Sequence, residues 1–129
     1  MSISADFEQA VRGIVADVVG EDVEDVSLES NFFHDLGGES IDVLDLGFHL
    51  EKRLGVRANF HQMLAPDRWE FDTDGQLTAA SIRRLRDEFP HVELPADLQS
   101  IDLREIFTVA FIVETAHRAA TIPDSRQRA

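Results

Sequence analysis

The sequence predicts an all-α protein, a bundle of four amphipathic helices. Three observations support this. Apolar residues recur at three- and four-residue steps in four segments. Cap residues and glycines bracket those segments. Pro66, Pro90 and Pro95 break the chain between helical segments.

The first helix is expected over residues 4–19, where Phe7, Val11, Ile14, Val15 and Val18 form one stripe. Ser4 can cap it, Asp6 and Glu8 suit its first turn, and Gly20 can end it. Residues 20–39 read as a long loop that Val23, Val26, Leu28, Phe32 and Phe33 pin to the bundle. A connection of that length is commonly functional. The second helix, SIDVLDLGFHLEKRL, is expected over 40–54, entered through Gly37-Gly38 and ended by Gly55.

Residues 59–65 read as a short helix closed by Pro66, and 69–78 as a hairpin-like excursion turning at Asp74-Gly75. A helix capped by Thr78 follows over 79–89, with Ile82, Leu85 and Phe89 on one face and Pro90 as its stop. Phe60, Trp69 and Phe71 are expected to form a satellite core there. Residues 102–107 suit one helical turn. The last helix is expected over 108–120, capped by Thr108, and the tail 121–129 is expected to fray.

Charge narrows the function classes. The chain has 25 acidic and 12 basic residues, a formal net charge of -13. Residues 1–55 carry 13 acids and 3 bases, and residues 56–129 carry 12 and 9. Such a field repels nucleic acid and anionic lipid, and it attracts proteins with basic faces. No apolar run approaches the roughly 18 residues of a membrane span, and the first ten residues lack the pattern of a secretory signal. With no cysteine there is neither a disulfide nor a thiolate metal site. The expectation is a cytoplasmic monomer that binds no nucleic acid.

The most informative stretch is Asp35-Leu36-Gly37-Gly38-Glu39-Ser40-Ile41-Asp42. It places a hydroxyl at the first position of a helix, after a glycine turn and beside free backbone N–H groups. The helix dipole there favours a negatively charged substituent such as a phosphodiester. Serine is also a favoured N-cap, so position alone leaves both roles open. The second helix has two apolar stripes. Val43, Leu46, Leu50 and Leu54 suit a core. Ile41, Leu44 and Phe48 lie on another side, bordered by Asp42, Asp45 and Glu51. Carboxylates resist burial, so the second stripe suits a partner with a basic rim.

Other constellations are weaker. Ser40 with His34 or His49 lacks the G-x-S-x-G pattern of a nucleophile elbow, because Asp42 stands where the second glycine belongs. The five histidines show no paired metal spacing. Arg83, Arg84 and Arg86, with Asp87 and Glu88, read as a solvated face or a contact with the acidic half.

DLGGESIDVLDL resembles the attachment motif of acyl carrier proteins, commonly D-L-G-x-D-S-L-D. Asp35, Leu36, Gly37, Ser40 and Asp42 match it, with Glu39 in place of aspartate and Ile41 in place of leucine. The resemblance covers residues 1–58 and, less closely, 101–120, while 59–100 depart from it as an insertion. It implies an acyl-carrier-like four-helix bundle, a single domain over 1–120 that is not an enzyme. It implies that Ser40 receives 4'-phosphopantetheine from coenzyme A through a separate phosphopantetheinyl transferase that supplies Mg²⁺. Acyl groups would travel as thioesters on that arm to enzymes of fatty acid, lipid or polyketide-type biosynthesis. Asp35, Glu39, Asp42, Asp45 and Glu51 would meet basic partner residues, and Ile41, Leu44 and Phe48 would supply apolar contact. A peptidyl carrier and an unmodified helical interaction module are the alternatives.

Overall fold

The computed structural model describes residues 3–58, 60, 69–90 and 103–121. Four α-helices lie among them: α1 (Ala5–Val19), α2 (Ser40–Leu54), α3 (Ala79–Glu88) and α4 (Val109–Thr121). Short 3₁₀ turns occur at Val23–Asp25 and Leu103–Ile106. Pairing of strand type among the described residues is confined to two isolated bridges, Asn31 with Thr108 and Phe71 with Leu77. The all-α expectation holds. Apart from Phe60 the expected helix at 59–65, and beyond Thr121 the frayed tail, fall on residues outside those described.

The helix boundaries follow from local chemistry. The Ser4 hydroxyl accepts the Phe7 N–H at 3.1 Å and starts α1, which Gly20 ends in the left-handed conformation at φ 77°. Thr78 accepts the Ser81 N–H at 3.2 Å and caps α3. Thr108 accepts the Phe111 N–H at 3.1 Å and caps α4. Each cap satisfies a donor that the first helical turn leaves without a partner.

α1 packs against α2 and α4. The core between them holds Val11, Ile14 and Val15 of α1, Val43, Leu46 and Leu50 of α2, and Phe111, Ile112, Val113 and Ala116 of α4, all buried. Full burial of each larger aliphatic or aromatic side chain contributes about 1.5–3 kcal/mol. Phe107 joins this core to its surroundings. Its ring lies 5.5 Å from Phe32, 5.5 Å from Phe60 and 5.6 Å from Phe111, in edge-on or tilted contacts.

The excursion at 69–78 is hairpin-like. The Thr78 N–H bonds to the Glu70 carbonyl, and the Asp72 N–H to that of Gln76. The Asp72 carboxylate accepts the N–H groups of Asp74 and Gln76. The expected satellite core is corrected. Among the described residues Phe60 and Trp69 are buried in the main core cluster, whereas Phe71 is 46% exposed. Phe60 reaches Phe107 and Phe111, so its apolar surface is satisfied by the bundle itself. α3 docks through Leu85, which is fully buried, and through Phe89, whose ring is 5.2 Å from Phe111. Arg83, Arg84 and Arg86 face solvent, and Arg84 pairs with Glu88 and lies over the Trp69 ring.

Candidate functional site

The segment before α2 is held by the far end of the chain. Phe32 N–H donates to the Phe107 carbonyl at 3.0 Å. Val109 N–H donates to Ser30 and Ala110 N–H to Leu28, both at 2.9 Å. Asn31, which is buried, ties these strands of chain together. Its amide donates to the carbonyls of Arg104 and Glu105, and its side-chain oxygen accepts the N–H groups of Phe33 and His34. Arg12 of α1 anchors the same loop through the Val23 and Val26 carbonyls. Sequence reasoning did not single out Asn31. Its only local signal is a polar residue set against the aromatic pair Phe32-Phe33 in a loop expected to pack on the bundle.

Gly37 and Gly38 serve different needs. Gly37 has φ 72°, which side-chain-bearing residues rarely adopt. Gly38 lies against the buried Phe32. A Cβ built there would meet the Phe32 ring and stand 2.9 Å from the Phe32 carbonyl oxygen. That carbonyl accepts the Gly38 N–H at 2.8 Å and closes the turn.

α2 begins at Ser40, with Glu39 as its N-cap residue. The Asp42 carboxylate reaches back to accept the Glu39 N–H at 2.8 Å. Ser40 is exposed and, among the described residues, its hydroxyl makes no hydrogen bond. The cap reading for Ser40 is therefore set aside: Glu39 and Asp42 perform that task. The N–H groups of Ser40 and Ile41 also find no acceptor among the described residues, as expected for a first helical turn. An uncommitted hydroxyl beside two open N–H donors, at the positive end of a 15-residue helix, fits a phosphodiester on the serine oxygen.

The two stripes of α2 separate. Val43, Leu46 and Leu50 are buried, while Ile41, Leu44 and Phe48 are 64%, 48% and 59% exposed. Around the exposed stripe Glu39, Asp45 and Glu51 face solvent and Asp42 is half-buried. Asp45 makes no ion pair among the described residues, whereas Glu51 pairs with Arg57 at 3.2 Å. Lys52 sits 5.6 Å above the Phe48 ring. Asp35, also exposed, accepts the Asn31 N–H at 2.7 Å and so helps close the loop. The structure thus places Glu39, Ile41, Asp42, Leu44, Asp45, Phe48 and Glu51 on or beside one helix with Ser40, and Asp35 in the preceding loop.

A cleft of about 350 Å³ runs beside this stripe. Val43, Leu44, Phe48, Ala58 and Phe60 line it, together with Gly47 and the ion pair of Glu51 and Arg57. No group of three or more His, Asp or Glu side chains among the described residues is placed to hold a metal. No described helix is long and apolar enough to cross a membrane.

Residues 9–67 match the family described as "Phosphopantetheine attachment site". That match covers most of α1, the pinned loop and α2, with Ser40 inside it. The acyl carrier protein of Rickettsia bellii (strain RML369-C) is 36% identical over 56 residues, 43% of this chain and 65% of that protein. The chain thus spans just under two thirds of the length of this curated relative. No solved structure gives a significant match. Over residues 9–67 the chain is similar to this family, and over 56 residues to an acyl carrier protein. The family's description names an attachment site for phosphopantetheine, and the relative is a carrier protein by name.

Proposed function

We propose that this protein carries acyl groups as thioesters on a 4'-phosphopantetheine arm attached to Ser40. The observation that carries the reading is the exposed Ser40 hydroxyl, relieved of capping duty by Glu39 and Asp42. In the loading step Ser40 Oγ forms a bond to the phosphorus of the phosphopantetheinyl group. The bond to the adenosine bisphosphate of coenzyme A breaks, and the hydroxyl proton passes to a base in the transferase. The bound group supplies the thiol that the cysteine-free chain lacks.

Glu39, Asp42, Asp45 and Glu51 form the acidic border of a docking surface centred on Ile41, Leu44 and Phe48, with Asp35 at its loop edge. The partners are a phosphopantetheinyl transferase and acyl-handling enzymes with basic faces, in fatty acid, lipid or polyketide-type biosynthesis. The cleft beside α2 shelters part of the cargo. The protein works as a cytoplasmic monomer, one domain over residues 1–120 with an insertion at about 59–100.

Intact mass after incubation with coenzyme A and a broad-specificity transferase tests the assignment. One phosphopantetheinyl group should be gained, and Ser40→Ala should gain none. An unchanged wild-type mass beside an active control would instead favour an unmodified interaction module.

A further inference from the structure

Ser40 is held in place by its neighbours and not by its own side chain. On the helix side the reciprocal contact of Glu39 and Asp42 fixes the backbone. On the loop side stand Gly37 and Gly38, and two successive glycines form a free hinge unless something tethers them. The Gly38 N–H donates to the Phe32 carbonyl at 2.8 Å, and the Phe32 N–H to the Phe107 carbonyl at 3.0 Å. Whatever holds Phe32 and its turn therefore fixes the loop side of Ser40.

Asn31 organises that turn. Its backbone and side chain together enter seven hydrogen bonds. Within the loop its carbonyl accepts the Asp35 and Leu36 N–H groups at 3.0 and 3.1 Å, and its N–H donates to the Asp35 carboxylate at 2.7 Å. Its side-chain oxygen accepts the N–H groups of Phe33 and His34 at 2.9 and 3.0 Å. Its amide nitrogen donates to the Arg104 and Glu105 carbonyls at 3.0 and 3.2 Å, 73 and 74 residues further along the chain. One buried side chain thus closes the turn and fastens it to a distant segment. An apolar anchor would hold the distance and leave the direction loose, whereas matched hydrogen bonds at a buried site fix both.

We infer that Asn31 is a positioning residue for phosphopantetheine transfer: by clasping the turn at 31–36 to Arg104 and Glu105 it sets the loop edge beside Ser40, and with it the approach of the hydroxyl to the transferase. The inference rests on the carrier reading and adds a residue to it. Asn31 is buried, so it acts through the turn and not by contact with the enzyme. The exposed stripe of Ile41, Leu44 and Phe48 lies outside the clasp, so docking and positioning are separable.

The test measures transfer from coenzyme A to the full chain by a broad-specificity transferase over a range of carrier concentrations, with the folded fraction of each variant read by circular dichroism under the assay conditions. Asn31→Ala should lower kcat about ten- to hundredfold, the scale of a reacting group misplaced by about 1 Å. KM for the carrier should stay near the wild-type value, because the docking stripe is untouched. Asn31→Ser keeps an acceptor for the local turn but cannot donate to both distant carbonyls, and it should show the same split; it decides the matter should Asn31→Ala fail to fold. Leu85→Ala truncates a buried side chain of α3 at a comparable loss of stability, so per folded molecule it should keep the wild-type kcat and KM. The Ser40 amide resonance should move in both Asn31 variants and stay in Leu85→Ala. Wild-type kcat in folded Asn31→Ser, an equal loss of kcat in Leu85→Ala, or no folded Asn31 variant at all assigns Asn31 to the fold alone and overturns the inference. Those outcomes leave the carrier reading standing, whereas failure to load the wild type overturns that reading and this inference with it.

Discussion

The adjacent glycines before Ser40 should respond very differently to alanine. At Gly38 a Cβ would lie 2.6 Å from Phe32 Cδ2, closer still to Cε2, and 2.9 Å from the Phe32 carbonyl oxygen. Neither neighbour can yield cheaply. The Phe32 ring is fully buried and held edge-on by Phe33 and Phe107. The carbonyl is backbone, and it accepts the Gly38 N–H. Forcing an extra methyl into such packing costs about 1–3 kcal/mol. The smaller conformational freedom of the unfolded Ala chain offsets some 0.4–1 kcal/mol of that. Gly38→Ala should therefore lose roughly 1–2 kcal/mol net. At Gly37 a Cβ meets nothing within 4 Å, and the whole penalty is its φ of 72°, about 1 kcal/mol. Urea unfolding followed by circular dichroism measures both. The midpoint should fall in each variant with unchanged slope. Because Gly38 abuts the core while Gly37 faces open space, only Gly38→Ala should shift the aromatic resonances of Phe32 and Phe107. It should also slow transferase loading of Ser40 more than Gly37→Ala does. Wild-type stability in Gly38→Ala with unmoved ring resonances would refute the close-contact account.

Further outcomes follow from the same geometry. Ser40→Ala should stay within about 0.5 kcal/mol of wild type, while Asp42→Ala should lose about 1 kcal/mol because it removes the reciprocal cap; the reverse order in urea titration would restore the cap role to Ser40. Asn31→Ala should cost about 2–4 kcal/mol, since four backbone groups lose their partner at a buried site, as thermal unfolding would show. Reversing Asp45 and Glu51 to Lys should slow loading of Ser40, and added salt should slow the wild type by screening the acidic face. A loading rate independent of salt would remove the electrostatic part of the docking proposal.

Much of the helical frame was legible because its determinants are local. Ser4, Gly20, Thr78, Thr108 and Gly55 act within one turn of their own helix, and the apolar period of α2 separates Val43, Leu46 and Leu50 from Ile41, Leu44 and Phe48 without reference to the rest of the chain. The motif at Ser40 was legible for the same reason, since a glycine turn, a hydroxyl and a helix start lie within a few consecutive residues. Phe71 was misplaced because aromatic character says that burial is favourable, not that a partner surface lies within reach. Phe60 found such a surface in Phe107 and Phe111, and Phe71 did not.

By itself the sequence determined where α1, α2, α3 and α4 form, which faces they bury, and which hydroxyl stands at the head of the acidic helix. Only the tertiary structure decided that Ser40 is left without a capping bond, that Gly38 owes its place to Phe32, that Asn31 fastens the loop to residues 104–105, and that Arg57 meets Glu51 beside the cleft. The physical reason is range. Capping and periodicity act across one helical turn, whereas ring packing, buried amide bonds and ion pairs between separate segments exist only once the chain has brought them together.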